Sequence, residues 1–270
     1  MRILAGDLTL SYVLEGEGTP LVLTHGLGDS LQFWDAVAPA LATHHRLLRW
    51  DVRGFGASDK PAGPYSASLF AADLLALLDV LGLGRVHLAG ISMGGVIAQR
   101  FALDHPQRLR SLILCSTSSE IAAAASAGWQ RLADRVEQRG FGSGARNASR
   151  SFAPSFAARR PEVVAAAGEQ TARNDPRAYA AAARAMSDYG WTAALAGVRL
   201  PVLILQGLAD QLTPPGGSVK LRRALPAARL LMLPDTGHNL PLEQPDLFST
   251  AVLGFTGAID AGAILAGADA

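Results

Sequence analysis

A serine lies at the centre of the pentapeptide Gly90-Ile91-Ser92-Met93-Gly94, which has the pattern G-x-S-x-G. A short apolar stretch precedes the motif and a helix-like stretch follows it, which is the setting of a nucleophile elbow. In such a turn the backbone bends sharply and presents the serine hydroxyl at the end of a strand. The alternative interpretation is a glycine-rich turn that binds an anion at the start of a helix. The sequence context favours Ser92 as a nucleophile.

A serine hydroxyl is a weak nucleophile until a base takes its proton, so a histidine partner is expected. His238 lies in a loop shortly after the apolar residues 229–233, at the carboxyl end of a predicted strand. Ligands bind at that edge in open α/β sheets. The other five histidines lie within or before strands, at a helix end, or in a glycine-rich loop; they are His25, His44, His45, His87 and His105. His238 is therefore the predicted base.

The base in turn needs a carboxylate that holds its tautomer and stabilises the imidazolium. Asp210 follows the strand-like residues 201–206 and reaches the same edge of the sheet. Asp235 is only three residues from His238, and we interpret it as part of a turn. The predicted catalytic residues are Ser92, Asp210 and His238.

Acyl transfer also needs hydrogen-bond donors for the negative charge that develops on the substrate oxygen. The backbone N–H of Met93 follows the nucleophile and begins a helix, which makes it one expected donor. The glycine-rich loop at residues 25–28 follows another apolar stretch, and we assign the second donor to the N–H of Leu27. The residues that we expect in the substrate pocket on position alone are His25, Gly26, Trp34 and Trp129.

These residues meet only if the chain brings several strand ends to one edge of a sheet. Eight short apolar stretches predict strands at residues 2–5, 8–15, 20–24, 46–51, 85–90, 111–115, 201–206 and 229–233. A two-residue hairpin is predicted at Gly6-Asp7. Helix-like stretches separate most of the other strands, and a final helix is predicted over residues 243–255. This alternation predicts a parallel α/β sheet that is covered by helices on both faces.

Residues 121–196 differ from the rest of the chain because they are rich in alanine and arginine. Three helix-like windows lie within them, at residues 129–139, 161–173 and 177–188. Ten arginines stand against six acidic residues there, whereas the whole chain has a net charge of +1. We predict a discontinuous core domain of residues 1–120 and 197–259, a helical lid of residues 121–196 and a flexible tail of residues 260–270.

The composition excludes several classes of protein. The 270-residue chain has 49% hydrophobic and 17% charged residues, which is enough apolar side chain for a large core and excludes a disordered protein. A net charge of +1 does not favour nucleic acid or an anionic membrane as a partner. The single cysteine, Cys115, excludes internal disulfides and multi-cysteine metal sites, and we interpret it as a buried thiol. We expect a cytoplasmic protein without cofactor or metal that acts on a small molecule; the sequence leaves open a homo-oligomer.

Taken in order, these motifs resemble those of the α/β-hydrolase superfamily. The matching stretches are His25-Gly26, Asp51-x-Arg53-Gly54-x-Gly56-x-Ser58, Gly90-x-Ser92-Met93-Gly94-Gly95, Asp210 and Gly237-His238. Within the superfamily the chain is most similar to 3-oxoadipate enol-lactone hydrolases and related carboxylesterases. The resemblance implies a mostly parallel eight-stranded sheet flanked by helices, an inserted helical lid, and hydrolysis of an ester or lactone through an acyl-serine.

Enol-lactones of that family carry a carboxylate, so the resemblance implies an arginine in the pocket. Arg131 and Arg135 are the candidates because they are close to Trp129, and a guanidinium suits bidentate carboxylate binding. We expect the lid to cover the carboxyl edge of the sheet because both of its attachment points are taken to be strand ends there.

Carbon–carbon bond hydrolases of ring-cleavage products, cofactor-free peroxidases and a non-catalytic ligand receptor remain alternatives. Haloalkane dehalogenases and epoxide hydrolases need an aspartate where Ser92 stands.

Overall fold

The computed structural model describes residues 1–142, 148–225 and 227–263. An eight-stranded sheet forms the centre of the molecule, which confirms the predicted architecture. Its strands are β1 (Arg2–Ala5), β2 (Leu8–Glu15), β3 (Thr19–Thr24), β4 (His45–Trp50), β5 (Val86–Ile91), β6 (Leu109–Cys115), β7 (Val202–Gly207) and β8 (Arg229–Leu233). They lie in the order β1-β2-β4-β3-β5-β6-β7-β8. The pairs β1–β2 and β2–β4 are antiparallel, and the pairs from β4 to β8 are parallel.

Helices cover both faces of the sheet and also fill the long connection between β6 and β7. They are α1 (Ala38–Ala42), α2 (Ala67–Val80), α3 (Met93–Asp104), α4 (Ala123–Arg139), α5 (Pro154–Arg159), α6 (Pro161–Ala172), α7 (Pro176–Ala185), α8 (Thr192–Leu195), α9 (Gly216–Ala224), α10 (Leu240–Glu243) and α11 (Pro245–Asp260). Successive side chains of a strand point to opposite faces, so the parallel strands are apolar on both. Leu21 and Leu23 of β3 pack with α1, α10 and α11, whereas Val22 packs with α2, α3 and α9.

Parallel strands bring their carboxyl ends to one edge of the sheet. The loops after β3, β5, β7 and β8 therefore emerge side by side, and they carry Leu27, Ser92, Asp210 and His238. This is the arrangement that the sequence pattern predicts for the candidate site.

Residues 121–196, here called the helical segment, contain α4 to α8, and their two ends meet. The Ile121 N–H donates to the Tyr189 carbonyl (3.1 Å) and the Trp191 N–H donates to the Ser119 carbonyl (3.0 Å), around a bridge between Glu120 and Gly190. The expectation that both attachment points are strand ends is wrong, because β7 is parallel to β6 and begins at the opposite edge. The bridge between Glu120 and Gly190, and not a second strand end, holds the returning chain beside the end of β6. The division into core, lid and tail stays a prediction.

Two helices extend beyond their predicted limits. Helix α4 begins at Ala123, six residues before the predicted window, because its first turns are alanine-rich and have no apolar spacing to reveal them. Helix α11 continues to Asp260, whose carboxylate contacts His87, so that residue is helical although it was predicted to begin the tail. Residues 264–270 of the predicted tail lie outside the described residues. Within the described ranges, no helix is both long enough and apolar enough to cross a membrane.

Candidate active site

Ser92 joins β5 to α3 with a backbone φ of 54°. A φ in this region is uncommon for a residue with a side chain and stores strain at functional turns. Hydrogen bonds fix the turn: the Ser92 N–H donates to the Cys115 carbonyl (3.0 Å), and the Ser92 carbonyl accepts from the Val96 N–H (3.0 Å) and from Thr117 Oγ1 (3.0 Å). The backbone thus has the geometry of a nucleophile elbow.

The glycines on either side of Ser92 are needed because three backbone segments approach each other closely at this turn. A Cβ atom on Gly90 would overlap the carbonyl oxygen of Gly94, and a Cβ atom on Gly94 would overlap the carbonyl oxygen of Thr24. A side chain at either position would therefore force α3 away from β3 and β5.

His238 and Asp210 form a buried hydrogen-bonded pair. The distance from His238 Nδ1 to Asp210 Oδ2 is 2.9 Å. The other carboxylate oxygen of Asp210 accepts from the N–H groups of Leu212 (2.8 Å) and Thr213 (2.9 Å). Because a carboxylate oxygen accepts, Nδ1 of His238 is the donor in this pair, which leaves Nε2 of a neutral imidazole as an acceptor.

The loop that carries His238 is held by a buried glutamate in α10. Oε2 of Glu243 accepts from the N–H of Gly237 (2.9 Å) and from the N–H of Ala153 in the helical segment (2.9 Å). The N–H of His238 itself donates to the Ser151 carbonyl (3.1 Å). The helical segment therefore fixes the backbone on which the imidazole is mounted.

Asp235, the rival acid on the same loop, points elsewhere. Its carboxylate is largely exposed and accepts a hydrogen bond from the hydroxyl of Ser155. Its own φ is 49°, as expected for a residue in a tight turn. The carboxylate that contacts His238 is that of Asp210.

Met93 and Leu27, whose N–H groups are the predicted oxyanion donors, line one cavity together with Ser92. Met93 is the first residue of α3, and such an N–H has no partner within its helix. Leu27 follows Gly26, whose carbonyl accepts two hydrogen bonds. One comes from Nδ1 of His25 (2.7 Å) and the other from the Asp29 N–H (3.3 Å). Because that carbonyl belongs to the same peptide group as the Leu27 N–H, these bonds fix the direction of the N–H.

A cavity of about 590 Å³ opens beside Ser92, and His238 is part of its wall. The helical segment supplies one side of it, including Trp129, Leu132, Arg135, Val136, Arg139 and Tyr179. A second cavity, of about 230 Å³, shares Leu27, Ser92 and Trp129 with the first. Met93 also lines this second cavity. Ser92 therefore borders two cavities of unequal size, of which the larger contains the histidine.

Two of the predicted pocket residues are buried in the core instead. Trp34 is completely buried and packs against Phe248, so the prediction that it lines the pocket is wrong. His25 is also completely buried, and its Nε2 accepts from the Val52 N–H (3.1 Å). Burial lowers the pKa of His25, which keeps the ring neutral. His25 therefore lies behind residues 26–28 of its own loop. Gly26 and Trp129 line the larger cavity.

Arg135 lines the larger cavity, whereas the prediction that Arg131 lines the pocket is wrong. Carboxylate binding by Arg135 stays a prediction. Arg131 is exposed and lines neither cavity, because residues two apart on a helix point in very different directions. Arg139, ten residues after Trp129, lines the larger cavity with Arg135 and was not predicted. Residues three or four apart lie on the same face of a helix, so steps of this size from Trp129 through Leu132 would have led to Arg135 and Arg139.

Asp29 is another cavity residue that the sequence reasoning missed. Its position directly after the loop 25–28 was the available signal. Cys115, in contrast, is buried as predicted, and burial raises the pKa of its thiol to about 12. The thiol therefore stays protonated and is not a nucleophile.

The chain matches the family model described as alpha/beta hydrolase fold over residues 19–245. It is 30% identical to 3-oxoadipate enol-lactonase 2 of Acinetobacter baylyi, over 92% of this chain and 93% of that protein. A malate-bound thermophilic esterase from Thermogutta terrifontis is similar with a TM-score of 0.91 and 30% identity, over 96% of this chain and 99% of that one. The enol-lactonase from Burkholderia xenovorans is similar with a TM-score of 0.90 and 29% identity, over 95% and 100%.

Proposed function

The chain belongs to the α/β-hydrolase fold family, and on that premise we propose that it hydrolyses carboxylic esters or lactones through an acyl intermediate on Ser92. The observation that carries the proposal is the combination of a strained elbow at Ser92 with His238, which is hydrogen-bonded to Asp210 and lines the same cavity as Ser92.

The reaction then proceeds in two similar halves. His238 accepts the Ser92 proton at Nε2 while Oγ bonds to the ester carbon, and the Leu27 and Met93 N–H groups stabilise the oxyanion. The bond to the leaving oxygen breaks as that oxygen takes the proton from His238. Water then attacks the acyl-serine with the same base, which releases the acid and restores Ser92.

The two cavities suit the two halves of an ester. The leaving oxygen must reach His238, and His238 lines the larger cavity, so we assign the leaving group to that cavity. The smaller cavity, beside Met93, then receives the acyl chain. At about 590 Å³ and 230 Å³, they suit a small aromatic or aliphatic leaving group and a short acyl group.

The larger cavity also favours a substrate with a carboxylate. Arg135 and Arg139 line it, and neither forms an ion pair within the described part of the chain. An unpaired guanidinium holds a carboxylate through charge-assisted hydrogen bonds. This agrees with an enol-lactone or a similar anionic ester as the substrate, as in the relatives named enol-lactonase.

The proposal is tested by labelling and by turnover. A fluorophosphonate should form an adduct on the peptide that contains Ser92, and Ser92→Ala should lose both labelling and hydrolysis. Ser68→Ala, which alters an exposed serine of α2, is the matched control. Retained turnover in Ser92→Ala would refute the serine mechanism.

The substrate class is tested by a matched pair of phenyl acetates. At pH 6 we expect 4-acetoxybenzoate, which carries a carboxylate, to have a higher kcat/KM than its methyl ester. Equal or better turnover of the methyl ester would leave a carboxylesterase without anion selectivity. Cleavage of a vinylogous diketone in place of both esters would favour a carbon–carbon bond hydrolase.

A further inference from the structure

The larger cavity contains a carboxyl group that the proposed mechanism does not use. Asp29 lies two residues after Leu27, directly after the loop at residues 25–28, and forms part of the cavity wall. A Cβ atom built on Gly26 would lie 3.4 Å from Asp29 Oδ2 and 3.5 Å from the Cβ of Ser92. The Asp29 carboxyl and the Ser92 side chain therefore border the same point of the loop.

No residue in the described ranges donates a hydrogen bond to the Asp29 carboxyl. The buried carboxylate of Asp51 differs because it accepts from the N–H groups of Leu31 (2.7 Å) and Ala57 (2.9 Å). A carboxylate without donors is costly to hold away from water. Burial accordingly raises the pKa of Asp29 to about 7, and the positive charge of a protonated His238 opposes this rise. The free hydrogen-bonding capacity of Asp29 is directed at whatever occupies the cavity.

Among the described residues, the other titratable and charged side chains that line this cavity are His238 after β8, Tyr179 in α7, and Arg135 and Arg139 in α4. Burial, together with the charge of Asp29, raises the pKa of Tyr179 to about 12. A guanidinium stays protonated in proteins. The phenol and the two arginines therefore keep a constant charge between pH 6 and pH 8.5.

We propose that Asp29 is a specificity-determining residue that selects substrates by the charge on their leaving group. When it is protonated, its carboxyl donates a hydrogen bond to a substrate oxygen, and Arg135 and Arg139 attract a substrate carboxylate without opposition. When it is ionised, its negative charge opposes that attraction, so anionic substrates lose their advantage and neutral substrates do not. The inference rests on the proposed ester hydrolysis and adds the pH range over which anionic substrates are preferred.

The experiment measures kcat/KM for 4-acetoxybenzoate and for its methyl ester from pH 6 to pH 8.5, by chromatography of the released phenols. The ratio of the two values is the readout, because any change in His238 protonation affects both substrates alike and cancels. We expect the ratio to fall about tenfold as the pH rises through 7, the size of a like-charge interaction within one partly solvated cavity. A flat ratio in the unmodified protein would overturn the proposal without any variant.

Substitution of the residue assigns the effect. Asp29→Asn keeps a hydrogen-bond donor and removes the titration, so its ratio should stay at the acidic value throughout. Asp188→Asn, which removes an exposed carboxylate of the helical segment, should keep the falling profile. If Asp29→Asn is unfolded by circular dichroism, Asp29→Ser serves the same purpose. A fall of equal size in the Asp29 variant would overturn the proposal, whereas absence of turnover with both esters in the unmodified protein would refute the proposed function instead.

Discussion

The sheet with its loops and the helical segment contribute to the site in different ways. The sheet supplies Ser92, Asp210 and His238, each held by backbone turns and buried hydrogen bonds. The helical segment supplies side chains of α4 that are partly or largely exposed, such as Trp129 and Arg139. Under the proposed mechanism, the sheet side holds the reacting groups together with Asp29, and α4 adds the cationic groups that recognise the substrate. Changes at Ser92, Asp210 or His238 should therefore affect kcat, and changes in α4 should affect selectivity.

The largest expected effect tests the sheet side of this comparison. Ser92→Ala and His238→Ala should each lower kcat by about 10⁴-fold or more while the protein stays folded, because nucleophile and base act as a unit. The double variant should lose little beyond either single variant. Steady-state kinetics with the neutral ester, and circular dichroism for the fold, check this. Multiplicative losses would contradict the assignment of the two residues to one step.

A pair of glycines sharpens the comparison at the level of folding. Gly94→Ala should abolish soluble folded protein or lower its unfolding temperature strongly, because the new methyl group overlaps the Thr24 carbonyl. Gly128→Ala in α4 meets open space and should stabilise that helix by up to about 1 kcal/mol. Thermal unfolding of both variants is the measurement. Equal destabilisation would mean that α4 is as tightly constrained as the elbow.

The stability of the protein should depend on pH through His87, which lies at the opposite edge of the sheet. His87 is completely buried between Ser111 and Asp260, and burial lowers its pKa to about 4. Below about pH 6.5 the unfolded chain binds a proton at this residue that the folded chain does not, so the free energy of unfolding should fall by up to about 1.4 kcal/mol for each pH unit down to about 4. Denaturant unfolding from pH 7 to pH 4.5 measures the slope.

A matched pair of histidines tests the origin of that slope. His87→Gln should flatten it, since an amide does not titrate, and His44→Gln, at an exposed position, should leave it unchanged. An unchanged slope in His87→Gln would assign the acid sensitivity to other groups, such as the buried His45, whose ring centroid lies 5.7 Å from that of His87.

The smallest expected effect tests the helical segment. Arg139→Gln should lower kcat/KM for the anionic ester about tenfold at pH 6 and leave the neutral ester within about twofold, because one charge-assisted contact is removed. Arg131→Gln, on the exposed side of the same helix, should change neither. A comparable loss with both esters would mean that Arg139 supports the fold of α4 and not substrate choice.

The sequence predicted the sheet side of the molecule much better than the helical side. The strands and the elbow are signalled by local patterns, apolar runs and glycines at fixed spacing, and these patterns are physical requirements of the structure itself. Strand bounds differ by two residues or fewer, as in β6, which begins at Leu109.

What could not be predicted depends on contacts between distant residues. Trp34 is suited equally to a pocket or a core, and the position of Phe248 in α11 decides between them. Glu243 gains its place beside Gly237 from a hydrogen bond to Ala153, ninety residues away. Asp29 is distinguished by the absence of hydrogen-bond donors in the described ranges, and no sequence pattern encodes that.

The bridge between Glu120 and Gly190 has a consequence for how the molecule diversifies. Because the chain leaves and returns at adjoining points, the length of the intervening stretch imposes no strain on the sheet, and loop closure depends only weakly on length. Recombination at these two positions would exchange one substrate-recognising module for another of different size. A replacement stretch would have to keep the contacts by which Ser151 and Ala153 hold the loop of His238, so new specificities are open to a single continuous stretch of gene that preserves those contacts.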